Sequence, residues 1–232
     1  MKKHHIKKIC IIPIRSKSKG INNKNIKKVG KHILVYYTLK VAIKSKIFDL
    51  IIISTDSKHY INKIKLLKLD KSKIYFHLRS AKSSTDKAST EMVICEVLNH
   101  LEVNQFKKIL NVTLIQATSP LIQSNDLLQA MKIFYINKFD SLFSSYINHN
   151  FIWKIKPKKI KSINYNFKKR PRRQDNSNKL IIENGAFYIF KKKGYLKNNN
   201  RLFGKIGYFN MPKERSFEID VKEDLDLIKK II

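Results

Sequence analysis

Short apolar runs of the buried-strand type alternate along most of this chain with segments whose apolar residues recur at helical spacing, and that alternation constrains its fold most. Ile9 to Ile12 opens the series as a β-branched run, broken at Pro13 by a polar loop that extends to Asn25. Ile33 to Lys46 has a helical period and gives way to Phe48 to Ile53, a second strand-like run. Strand, loop, helix, strand is a βαβ unit, and the unit repeats. Ser57 to Leu69 is amphipathic, with Asp56 and Ser57 as caps, and Lys73 to His77 is a short strand. A polar loop, Leu78 to Lys87, leads to a helix over Ser89 to Val103 capped by Ser89, then to a strand over Ile109 to Ile115. Gln116 to Gln123 is read as loop and Ser124 to Asn137 as helix. This rhythm predicts an α/β fold with a mostly parallel sheet covered on both faces, a three-layer αβα arrangement.

From Phe139 the rhythm changes. Asp140 to Tyr146, Phe151 to Ile155 and Ile160 to Asn166 are short, aromatic and separated by Asn, His, Lys and Pro. Residues 139–179 are therefore expected to leave the main sheet as an excursion, ending in the cationic run Lys168 to Arg173. Leu180 to Phe190 returns as a core strand interrupted at Glu183, Asn184 and Gly185. Strands are expected at Ile206 to Phe209 and Ser216 to Ile219, then a helix led by Asp220 with Glu223 at capping-box spacing. The 232 residues suffice for one substantial domain carrying such an excursion.

Forty-nine Lys and Arg against seventeen Asp and Glu give a net charge of +32, which by itself suggests a phosphate-bearing partner. The lysines are scattered through nearly every segment, and Ile and Asn are abundant beside them while Gly is sparse. That is the pattern of compositional bias, so phosphate affinity is expected and a dedicated nucleic-acid face is not. A basic nucleic-acid-binding protein remains the competing class; it would use KKRPRR and bind with a steep salt dependence. Cys10 and Cys95 have no metal-ligand spacing and read as buried small hydrophobes in a reducing compartment. The basic N-terminus is followed by an apolar run too short for a signal peptide or membrane span, so a cytoplasmic protein is expected.

Arg15, Ser18, Lys19, Lys24 and Asn25 crowd the loop after the first strand, at the sheet edge where open α/β folds bind ligands. Cationic side chains there suit a triphosphate, and Gly20 permits close backbone approach. The Walker spacing is missing, which disfavours an ATPase motor. Asp56 could hold a ligand or metal, although an S-T-D sequence is more commonly a helix start. Arg79 and Asp86 bracket the second loop and could pair with each other or read a base. Gln116 offers a donor and an acceptor at the same edge. Glu218 and Asp220 stand two apart, so on a strand both carboxylates share a face, a hard-oxygen pair suited to Mg²⁺ or, equally by spacing, an exposed face plus a helix cap. The three arginines among Lys168 to Arg173 suit a carboxylate, which Arg grips bidentately.

With these residues assembled, the chain resembles the N-acylneuraminate cytidylyltransferases from Ile9 almost to its end. The resemblance rests on IIPIRSKSKGINNKNI, IIISTDS, LRSAKSSTDKAS, IQATSPLI, KRPRRQD, ENGAFYIF and MPKERSFEIDVKEDLDL, in that order. It implies a Rossmann-like nucleotidyltransferase that joins CTP to a nine-carbon 2-keto acid of the sialic acid type, with Mg²⁺ and release of pyrophosphate. Arg15, Ser18, Lys19, Lys24 and Asn25 would hold the triphosphate and ribose, with Arg15, Lys19, Lys24 and Asp220 acting in catalysis. Arg79 and Ala88 would line the cytosine pocket. Gln116 would touch the acid sugar, and Arg173 its carboxylate from a second subunit. Glu218 and Asp220 would bind the metal, and the excursion would be the arm of a homodimer. Relatives usually carry Asp where this chain has Glu218, and bacterial members often carry Arg where it has Ile122.

Overall fold

The computed structural model describes residues 6–16, 20–85, 87–106, 108–157, 159–172 and 180–232. Its centre is a seven-stranded sheet. The strands are β1 (Lys8–Pro13), β4 (Leu50–Thr55), β5 (Ile74–Leu78), β6 (Asn111–Ile115), β7 (Ser141–Asn148), β10 (Leu180–Lys191) and β11 (Ile206–Asn210). Their order is β11-β7-β10-β6-β1-β4-β5. Parallel pairing joins β6, β1, β4 and β5 on one side and β7 with β11 on the other, while β10 runs antiparallel to both its neighbours. The smaller strands form two ribbons, β2 (Lys28–Val29) with β3 (His32–Ile33), and β8 (Trp153–Lys156) with β9 (Lys159–Ser162).

The β-branched runs are continuous because both faces of the sheet are covered. Along β1, Cys10 and Ile12 enter one core while Ile9 and Ile11 enter the other. The first core is closed by α1 (Leu34–Ser45), α2 (Lys58–Lys65) and α4 (Ser124–Ile136), which contribute Val35, Leu39, Tyr60, Ile64, Leu127 and Phe134. The second is closed by α3 (Thr90–Val103) with Ile94, Val97 and Leu101, and by Tyr195 of α5 (Lys192–Asn198). Each fully buried isoleucine contributes about 2 kcal/mol of transfer free energy, so the four in Ile9 to Ile12 and Ile52 weigh heavily on register. Of the expected caps, Ser57 and Ser89 hold, accepting from the Tyr60 N–H and the Met92 N–H, while Asp56 caps neither helix. Among the described residues no helix is long and apolar enough to cross a membrane.

Three expectations need correction. Asp140 to Tyr146 does not open the excursion, because β7 lies inside the main sheet between β10 and β11. What leaves the sheet is the following ribbon, whose strands Trp153–Lys156 and Lys159–Ser162 are shorter than the expected Phe151 to Ile155 and Ile160 to Asn166. Ser216 to Ile219 forms no strand and joins no ladder; its backbone is tied to the loop after β6 by the Ile219 N–H, which donates to the Thr118 carbonyl at 2.9 Å. The terminal helix, α6 (Lys222–Ile231), starts two residues beyond Asp220, and Asp224 rather than Glu223 closes it by accepting from the Asp220 and Val221 N–H groups. Cys10 is buried as expected, whereas Cys95 is only half-buried; both are free thiols. Short α5 and the ribbon β2–β3 carry no signal in the sequence, because neither is long enough to show a period.

Candidate active site

β1 runs to β4 and β5 on one side, and the chain then crosses to β6 on the other. At that reversal the loops after β1 and β6 diverge, which opens a crevice beyond the carboxyl ends of the strands. A cleft of about 520 Å³ occupies it. Pro13, Arg15, Gly20, Lys24 and Asn25 line it from the first loop, Arg79, Ala88, Ser89, Thr90 and Val93 from the β5–α3 segment, and Gln116 to Thr118 from the loop after β6. Asp220 closes it.

The first loop is pinned at its start, where both Asp56 carboxylate oxygens accept from Ser16, from its N–H and its hydroxyl, each at 2.8 Å. Asp56 thus orders the loop rather than capping α2. Farther along, buried Asn25 donates its side-chain N–H to the Arg15 carbonyl at 3.1 Å. The Tyr60 hydroxyl lies 3.2 Å from the Asn23 side-chain oxygen, and burial with the nearby Asp56 charge pushes its pKa up to about 12. Gly20 rests on the segment before α6: a Cβ at that position would lie 2.4 Å from the Asp220 carbonyl oxygen, closer than any side chain tolerates.

That contact brings the two ends of the chain together. Lys24, whose side chain is only 12% exposed, donates to the Ile219 carbonyl at 2.6 Å and to Asp220 Oδ1 at 3.1 Å. Asp220 is 68% exposed toward the cleft. Glu218 lies deeper and accepts from the Thr118 hydroxyl at 2.9 Å. Gly185, at φ +68°, leaves room for it, since a Cβ there would stand 3.1 Å from Glu218 Oε2. Burial raises the Glu218 pKa above the ordinary carboxylate value, and the Asp220 charge pushes the same way while Thr118 and Lys24 oppose it. Among the described residues no three His, Cys, Asp or Glu side chains gather as a complete metal shell. Two hard oxygen donors beside a cleft fit a cation that keeps waters and takes its other ligands from phosphate, which is the habit of Mg²⁺.

Opposite, Arg79 is tied down by donating Nε to the Ser54 hydroxyl at 3.1 Å and Nη2 to the Ser54 carbonyl at 2.9 Å. Burial lowers its pKa to about 10, with Asp56 and Glu96 opposing the shift and Arg15 adding to it, so it stays cationic at neutral pH. The structure therefore brings Arg15, Lys24, Asn25, Arg79, Ala88, Gln116 and Asp220 to one cleft, with Glu218 directly behind. Ser18, Lys19, Asp86 and Arg173 lie outside the described residues. Thr118, Ser54 and Gly185 lie in segments the sequence marks, QATSP, S-T-D and the Glu183 to Gly185 interruption, but nothing local shows that Thr118 and Gly185 seat Glu218 or that Ser54 holds Arg79.

A family model described as cytidylyltransferase matches residues 9–231. The chain belongs to the cytidylyltransferase family. It is 36% identical over 228 residues to N-acylneuraminate cytidylyltransferase A of Danio rerio, covering 96% of this chain and 50% of that protein. It is 31% identical to the post-translational flagellin modification protein B of Campylobacter coli, covering 97% of this chain and 94% of that one. The chain spans about half the length of the N-acylneuraminate cytidylyltransferases it matches. Its fold is shared with a CMP:2-keto-3-deoxy-manno-octonic acid synthetase complexed with CTP, at a TM-score of 0.67 and 12% identity, covering 97% of this chain and 98% of that one. A 4-diphosphocytidyl-2C-methyl-D-erythritol synthase from Anaerococcus prevotii matches at the same TM-score with 16% identity, covering 97% and 96%. The Rossmann-like, mostly parallel expectation is met.

Proposed function

We propose that this family member transfers CMP from CTP to the anomeric hydroxyl of a sialic acid-type nine-carbon 2-keto acid, releasing pyrophosphate. The observation that carries the reading is the convergence of Arg15, Lys24, Asn25, Arg79, Ala88, Gln116 and Asp220, from four separated segments, on one cleft at the strand reversal. Arg15 and Lys24 place positive charge where a triphosphate would lie, and Asn25 holds the backbone that carries Arg15. Ser18 and Lys19 complete that loop by sequence. Arg79 and Ala88 bound the side where cytosine would sit, and Gln116 bounds the side left for the acid sugar, with Arg173 assigned to its carboxylate.

Glu218 and Asp220 would hold Mg²⁺, which neutralises phosphate charge when bound. The sugar hydroxyl attacks the α-phosphorus in line and pyrophosphate departs; the chain's own residues act by positioning and by offsetting charge, as in phosphoryl-type transfer generally. Lys24 is suited to this because it is held at both its contacts before substrate arrives, so little reorganisation is needed. We place the reaction in the cytoplasm, in keeping with two free thiols.

We also infer a homodimer built on the β8–β9 ribbon. Ile155 and Ile160 face each other across it, 84% and 63% exposed, beside half-exposed Trp153 and exposed Phe167. Such an apolar face on a two-stranded ribbon needs a partner surface.

Incubation with CTP, Mg²⁺ and N-acetylneuraminate, legionaminic acid or pseudaminic acid is expected to release pyrophosphate with at least one of the acids. If the folded protein turns over none of them, the assignment fails.

A further inference from the structure

The strand β5 lies at the sheet edge; its residues Tyr75 and His77 share one face, and Arg79 follows at the same spacing just beyond the strand's end. Helix α3 covers that face with Glu96 and His100, one turn apart. The Tyr75 hydroxyl lies 2.7 Å from His100 Nε2, and the His77 and His100 rings meet edge-on with centroids 4.8 Å apart. His77 is 3% exposed, and its Nδ1 lies 3.1 Å from the hydroxyl of Ser54, its register partner on β4. The opposite nitrogen, Nε2, lies 3.6 Å from Glu96 Oε1. Glu96 is itself held by the Ser80 N–H at 2.7 Å and the Ser80 hydroxyl at 2.8 Å.

The proton inventory of this chain of contacts closes in one arrangement that gives the Ser54 hydroxyl proton a partner. Arg79 has donors only, so the Ser54 hydroxyl must accept from Nε. The hydroxyl keeps a second lone pair and its single proton, and that proton has a partner when His77 Nδ1 accepts it. In that arrangement the imidazole is neutral, with its proton on Nε2 toward Glu96. Burial lowers the pKa of His77, with His100 and Arg79 pushing the same way and Glu96 opposing them.

We propose that His77 is a positioning residue for nucleotide binding: acting through the Ser54 hydroxyl, it fixes the Arg79 guanidinium in the cleft, and does so as the neutral imidazole. This rests on the reading of Arg79 as a wall of the cytosine pocket. A proton gained at Nδ1 would turn that atom into a donor, force the Ser54 hydrogen away and set a second positive charge beside Arg79. The groups facing His77 are Glu96 and His100 from α3, Tyr75 from its own strand, Arg79 from just beyond that strand's end, and Ser54 from β4. Affinity for CTP is thus full while His77 is neutral and falls as pH drops through its titration.

Calorimetric titration with CTP and, separately, inorganic tripolyphosphate tests this. His77→Val is expected to weaken CTP about tenfold, the loss of one hydrogen bond worth about 1.4 kcal/mol, and to leave tripolyphosphate affinity unchanged. In turnover the same variant raises KM for CTP with kcat preserved. His77→Asn can still accept from Ser54 but does not titrate; it keeps near-normal CTP affinity and loses the acid-side weakening of the wild type. If His77→Val does not fold, Ser54→Ala carries the test with the same expected split. Unchanged CTP affinity, or equal weakening of CTP and tripolyphosphate, overturns the positioning role. A wild-type protein that binds no CTP overturns the functional reading as well, so the two failures are distinguishable.

Discussion

At the scale of single residues, the acid pair shows how one location can cost stability and serve chemistry. Glu218 is half-buried with a raised pKa, so its ionised form is less comfortable in the native state than in the unfolded chain. The native state then holds the extra proton between the unfolded and native pKa values, and stability falls as pH rises through that window. In metal-free buffer, Glu218→Gln is expected to raise the melting temperature at pH 7, with the gain shrinking as pH falls into the carboxylate range. The amide still accepts from Thr118, so an unchanged or lowered melting temperature would contradict the burial argument. Asp220→Asn tests the other half of the pair. It is exposed and supports little packing, so the fold should survive by circular dichroism while turnover drops at least ~100-fold. Activity within a few-fold of wild type would refute its role. The types and spacing of Glu218 and Asp220 were legible in the sequence. Their unequal burial was not, because it depends on Gly185 and Thr118, which are distant in sequence.

At the scale of elements, the segment from Met211 to Asp220 belongs to no ladder yet carries both carboxylates. Side chains anchor it. Arg215 grips Asp126 at the start of α4 bidentately, with Nη2 donating to Oδ1 at 2.9 Å and Nη1 to Oδ2, and Asp126 is buried. Asn184 donates to the Ser216 hydroxyl at 2.8 Å while its oxygen accepts from Ser144 at 2.6 Å and from the Ala186 N–H. These bonds stand in for the ladder where β10 slips register between Glu183 and Tyr188. The polar interruption visible at Glu183 to Gly185 is therefore a bulge that seats the acid segment. Arg215→Ala leaves a buried carboxylate without its cation, and a loss of about 3 kcal/mol in urea unfolding is expected. A loss below about 1 kcal/mol would mean that the segment is held elsewhere.

At the scale of the whole molecule, the ribbon β8–β9 is the element least explained by one copy of the chain. Its apolar pair Ile155 and Ile160 is exposed, while Lys154 opposes Lys161 and Lys156 opposes Lys159 on its other face, a like-charge arrangement that weakens an isolated hairpin. The double variant Ile155→Asp and Ile160→Asp is expected to convert the proposed dimer to monomer in sedimentation velocity without unfolding the sheet. A wild-type monomer at the same concentration would remove the homodimer from the reading. Local sequence by itself determined the layered α/β plan, because periods of two and 3.6 are written into neighbouring residues and the buried runs announce strands covered on both faces. It also marked the polar loops where the cleft lies. Tertiary structure alone decided that β7 stays in the sheet, that the first loop touches the segment before the last helix, and that Asp56 and Ser54 serve Ser16 and Arg79. Those outcomes rest on contacts between residues tens to two hundred positions apart, and no local pattern encodes which partner wins such a contact.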